Sequence, residues 1–144
     1  MKRIVGTAVA VLALCGCTPS NGTDDTFVAV QEAVVAADPG VTKATVDQSL
    51  DGFSHHLTVS AYIDSEDTNA AQVEAILRAA APFGDGYDYL DLLVIDPSED
   101  FIDLYPTIVE LGFPVTEADN PMTKFTWAPD AIVETLDSTK DGAS

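Results

Sequence analysis

The chain's two histidines are adjacent, His55-His56, and imidazoles ligate metals or carry protons when their rings converge on one site. Neighbouring residues on a strand point to opposite faces, which is poor geometry for chelation. A metal site on either ring would need carboxylates from elsewhere, such as Asp47 across a hairpin, to approach the three or four protein ligands that zinc takes. Two acidic clusters, Asp85-Gly-Tyr-Asp88-Tyr-Leu-Asp91 and Asp64-Ser-Glu66-Asp67, have the oxygen chemistry of calcium loops. Neither follows the EF-hand spacing: Asp91 falls within a strand and points away from Asp88, and the second cluster suits the acidic start of a helix. The sequence contains no nucleophile elbow, glycine-rich phosphate loop, HExxH pair or recognisable Ser/His/Asp spacing. The expectation is a non-enzymatic chain with no catalytic residues, no metal site and no cofactor.

The most usable chemistry is that of a surface. Thr45, Asp47, His56, Thr58, Ser60, Tyr62 and Tyr89 share one predicted sheet face, where tyrosines and small hydroxyls suit contact with a protein or a glycan. Two alternatives stand beside that reading: binding or sensing of a metal ion or small ligand, and burial of the same face under residues 97–136.

Several elements must position those residues. Apolar Phe27, Val30, Val34 and Val35 predict a helix over 26–37, capped by Asp25 and ended by Pro39-Gly40. Alternation predicts strands over 41–50 and 56–64, joined as a hairpin through Asp51-Gly52; Leu57, Val59, Ala61 and Ile63 face inward. A second helix spans 68–81 and must end near Pro82 and Gly84. A central strand follows over 87–95, apolar on both faces in its second half, so something must cover its back. Beyond it Ser98 is expected to cap a helical stretch through Tyr105, and Pro106 to begin or kink another that ends at Gly112. An edge strand over 124–127 and a last helix over 130–136 complete the chain. The predicted fold class is α+β: a two-layer, ferredoxin-like αββαβ sandwich with a helical and edge-strand C-terminal extension.

The N-terminus carries an address. Lys2 and Arg3 precede an apolar run, residues 4–14, that is too short to span a bilayer. Leu14-Cys15-Gly16-Cys17 follows, with an aliphatic residue three before Cys17 and a small one just before it. This segment resembles the signal peptide and lipobox of bacterial lipoproteins. The resemblance implies cleavage before Cys17, diacylglycerol on its sulfur, and a mature chain with no thiol, held on the extracytoplasmic side of the cell membrane. The expected organisation is a signal peptide at 1–16, a lipidated tether at 17–25, one domain at 26–136 and a frayed C-terminus at 137–144.

Loss of Lys2 and Arg3 leaves four basic residues, Lys43, Arg78, Lys124 and Lys140, against 24 acidic ones, a formal charge of −20. Cations so few and scattered exclude nucleic acid as a direct partner. The expected partners are the membrane, through the lipid on Cys17, and an envelope protein or glycan. In element order, including Asp38-Pro39-Gly40-Val41 between helix and strand, the domain also resembles envelope modules such as BON domains; that likeness implies a fold and no function.

Overall fold

The computed structural model describes residues 22–143. Helix α1 (Gly22–Ala37) leads into strand β1 (Val41–Asp51), which turns back as β2 (Ser54–Ile63). Helix α2 (Ala70–Ala80) and a 3-10 turn (Ala81–Gly84) carry the chain to β3 (Tyr89–Ile95). The remainder comprises α3 (Tyr105–Glu110), a second 3-10 turn (Glu117–Asp119), β4 (Phe125–Trp127) and α4 (Pro129–Ala143). The four strands form one sheet in the order β1-β2-β3-β4, in which β1/β2 and β3/β4 are antiparallel and β2/β3 parallel. This is the αββαβ sandwich with its C-terminal extension.

Alternation builds the core. Ala44 and Val46 from β1, the four inward residues of β2, and Leu90, Leu92 and Val94 from β3 are all buried on one sheet face. Val30 and Val34 of α1 and Val73, Ile76, Leu77 and Ala80 of α2 close over them. Each valine, leucine and isoleucine among them contributes about 1.5–3 kcal/mol by leaving water. The hairpin turn is Gly52-Phe53, between paired Asp51 and Ser54, and Gly52 has φ +65°, the left-handed conformation that two-residue hairpins require of their first residue. Asn69 caps α2, its side-chain oxygen accepting from the Gln72 amide at 2.9 Å. Asp38 joins the start of β1 to α2: one of its oxygens accepts from the Gly40 amide at 2.8 Å and from Gln72 Nε2 at 3.2 Å.

Most elements shift by one or two residues from their expected bounds, and three departures are larger. Helix α1 runs from Gly22, the first described residue, so it takes in residues 22–25 of the expected tether and holds Asp25 within the helix instead of at its cap. The stretch after Ser98 is not helical before Tyr105: Asp96 Oδ1 accepts from the Ser98 and Asp100 amides at 2.8 and 2.9 Å, and this turn competes with helix nucleation. The chain then folds back on the end of β3, with Ile95 bridging Phe101 and the Ile102 amide donating to Val94 O. Finally, residues 137–143 continue α4 instead of fraying. Asp137 pairs with Arg78 at 2.9 Å, Lys140 with Glu74 at 3.2 Å, and the Thr139 hydroxyl donates to Leu111 O at 3.0 Å.

The C-terminal third widens the helix layer. Both α3 and α4 pack against α2, and Leu104, Ile108, Leu111, Phe113, Ile132 and Leu136 join the same core as α1 and α2. Phe125 anchors this extension, its ring edge-on to Phe113 at 4.8 Å and stacked on Trp127 at 5.8 Å. The sheet's other face keeps a polar surface of half-buried and exposed residues along β1 and β2.

Candidate functional site

Register places the outward residues of this second face in rows. Asp47, Thr58, Asp91 and Thr126 form one row across the four strands; Ser49, His56 and Tyr89 form the next, and Thr45, Ser60 and Leu93 lie on the other side. Period-two alternation that sends leucines inward at 90 and 92 must send Asp91 to this face. A carboxylate in the interior of a central strand is flanked closely on both sides, and only 2% of Asp91 is exposed.

An ion so enclosed needs donors, and Asp91 has three. The Thr126 hydroxyl donates to Oδ1 at 2.7 Å, the Thr58 hydroxyl donates to Oδ2 at 3.0 Å, and His56 Nδ1 lies 3.1 and 3.0 Å from the two oxygens. A carboxylate only accepts, so the network assigns the proton to Nδ1. Nε2 is then the ring nitrogen outside this network, and Asp91 fixes the plane of the ring. Tyr89 packs beside the imidazole, ring centroids 5.1 Å apart, and is itself exposed. The result is a rigid imidazole on a flat face, bordered by an aromatic ring and hydroxyls.

Of the residues expected to share this face, His56, Thr58 and Tyr89 are brought together around Asp91. Tyr62 stands further along β2, with Lys43 Nζ 4.8 Å from its ring centroid. Beyond that pair, Thr42, Tyr62, Asp64, Asp96 and Glu99 line a cavity of about 520 Å³ at the end of the sheet. Thr45 and Ser60 are half-buried between the Tyr62 and His56 ends, and Asp47 is exposed on β1. Asp47 is opposite Thr58 and not His56, so the pairing with His56 considered for a metal site is replaced by the bond to Asp91. His55 is exposed on the neighbouring strand position, its backbone N–H and C=O bonded to Asp88. Among the described residues no group of three or more His, Cys, Asp and Glu side chains converges in a way that would hold a metal ion. Cys17 lies outside the described residues.

Asp91 and Thr126 are the site residues that sequence reasoning missed. The available signal was Asp91 itself, the one charged residue in Tyr-Leu-Asp-Leu-Leu-Val-Ile: a charge in a buried strand demands partners. Thr126 gave no local signal, because only the pairing of β4 with β3 places it opposite Asp91.

No family model, curated protein or solved structure matches the chain. Among the described residues no helix is long and apolar enough to cross a membrane.

Proposed function

We propose that this chain is an exported lipoprotein, held at the cell membrane by diacylglycerol on Cys17, that recognises an envelope protein or glycan and does no chemistry on it. The observation that carries the binding half of this reading is the open sheet face on which Asp91 holds His56 beside Tyr89. Such a face is arranged for recognition. Its polar groups are pre-positioned, so little side-chain freedom is lost on binding, and its tyrosines offer apolar area with a hydroxyl tip. The anchoring half rests on the lipobox-like Leu14-Cys15-Gly16-Cys17. Two acyl chains hold a protein stably where one does not.

A second reading, a receptor for a transition metal ion or small ligand, is favoured by the orientation of His56: a ring nitrogen whose partner nitrogen is bonded to a carboxylate is a good ligand. A crosslinked pull-down from intact membranes separates the two. It compares the wild-type chain with Cys17→Ser, His56→Ala and the Tyr62→Ala/Tyr89→Ala pair. A partner captured by wild type and lost with the face variants supports recognition. Loss of membrane retention in Cys17→Ser supports the anchor. Absence of any partner, together with saturable thermal stabilisation by zinc that His56→Ala abolishes, would replace the first reading with the second.

A further inference from the structure

Strand β1 is an edge: the sheet order ends there, no strand among the described residues pairs with its outer side, and it runs eleven residues, Val41–Asp51. Edge strands are normally kept short, bulged or screened, because their free N–H and C=O groups pair with other chains; here the irregularity lies between Val41 and Lys43, at one end, and the rest of the strand is regularly paired with β2. Beside this edge lies an open groove of about 420 Å³, lined by Gln31, Glu32, Val35 and Ala36 of α1 and by Lys43 and Ala44 of β1, whose exposed surface is mainly apolar. Val28, one stripe along α1 from Val35, is also exposed.

The strand's own charges identify the occupant. Lys43 and Asp47 both point to the open face, both are exposed, and neither makes an ion pair among the described residues. They stand symmetrically about Thr45. An antiparallel partner centred on Thr45 therefore sets Lys43 against Asp47 twice, sets Ala44 against Val46 on the core side, and pairs residues 43–47 clear of the irregularity between Val41 and Lys43. Shifting the centre to Asp47 would instead oppose two aspartates. We infer that β1 pairs with β1 of a second copy of this chain about a two-fold axis through Thr45, joining two four-stranded sheets into one of eight strands. The Val28 and Val35 flanks of the two α1 helices then face each other above the seam. The acidity of the whole chain opposes this association, so moderate salt strengthens it even as the Lys43–Asp47 pairs are screened.

Sedimentation of the full chain in mild detergent tests the inference. Wild type is expected to be a dimer. Lys43→Glu and Asp47→Lys should each weaken association about tenfold, as two symmetry-related pairs turn repulsive; the exchanged Lys43→Asp/Asp47→Lys chain should recover it. Thermal melts establish that each variant is folded. In intact cells Thr45→Cys should give a disulfide-linked dimer, and Asp51→Cys, far from its own copy in this register, should not; this arm stands even if a charge variant fails to fold. A monomer at every concentration, a dimer indifferent to charge reversal, equal crosslinking from both cysteines, or Thr45→Cys linked only to a different protein would each overturn it.

Discussion

Replacing Asp91 by alanine should cost this domain a large fraction of its stability. The carboxylate is 2% exposed and receives the Thr58 and Thr126 hydroxyls and His56 Nδ1. Hydrogen bonds to a charged acceptor are worth roughly 1.5–3 kcal/mol each. The three do not add in full, because in Asp91→Ala the hydroxyls rotate toward other acceptors and His56, 12% exposed at its side chain, turns to water. Removing the one acceptor that these three donors share is expected to cost about 2–4 kcal/mol. Asp91→Asn keeps one acceptor oxygen and the volume, and should lose about 1–3 kcal/mol. Urea unfolding followed by far-UV circular dichroism reads both as a fall in midpoint at constant slope. A double-mutant cycle with Thr126→Val isolates the 2.7 Å bond and should return a coupling of about 1 kcal/mol or more. If Asp91→Ala shifts stability by less than about 1 kcal/mol, the network does not hold the sheet face and His56 is not fixed by it.

Other perturbations probe the helix layer. Glu74 accepts from Arg78 Nε at 2.7 Å and pairs with Lys140 at 3.2 Å, and the bond from Arg78 lowers its pKa below the ordinary 4.5. A depressed carboxylate stabilises the fold above its unfolded pKa and loses that contribution as pH falls through the folded value. Glu74→Gln should therefore be less stable than wild type at neutral pH by about 0.5–1 kcal/mol, with the gap closing below pH 4.5 in melts run across pH. Gly112 has φ +94°, and a Cβ there would collide with Thr139 Oγ1; Gly112→Ala should lower stability by about 1–3 kcal/mol in urea titration. Deleting residues 137–144 removes Asp137, Thr139 and Lys140 from their contacts with Arg78, Leu111 and Glu74. The truncated chain should melt several degrees lower by calorimetry, whereas a frayed tail would leave Tm unchanged.

Legibility in the sequence followed the range of the forces involved. Period-two alternation in β1 and β2, with Gly52 between them, is a local pattern, and it yields the hairpin and the face that carries His56, Thr58, Ser60 and Tyr62. The end of α2 is likewise written in Pro82 and Gly84. The stretch after Ser98 misled because Ser98 has the composition of a cap, while the side chain two residues earlier, Asp96, takes the amides a helix would need. The C-terminus misled because its polar residues resemble solvent-facing tail until α2 supplies Arg78 and Glu74. Asp91 was visible as a carboxylate, but a search for metal loops groups it with Asp85 and Asp88, its neighbours in sequence. Its actual partners come from β2 and β4 and depend on strand order.

That strand order has a further requirement. The alignment of β1 with β2 is set by the two-residue turn at Gly52-Phe53, but β2 and β3 run parallel and connect only through α2, so no turn dictates how far one slides along the other. A slide of one residue turns every side chain of β3 to the opposite face. Leu90 and Leu92 would meet water, and Asp91 would enter hydrocarbon beside Val73 and Ile76 at a cost of several kcal/mol for the unpaired charge. The carboxylate thus acts on folding as a gauge of alignment: only one setting of β3 gives it Thr58 and His56 on one side and Thr126 on the other. An apolar replacement chosen to fill its volume would remove that gauge, leaving a sheet that still collapses but no longer distinguishes its native alignment from the neighbouring ones.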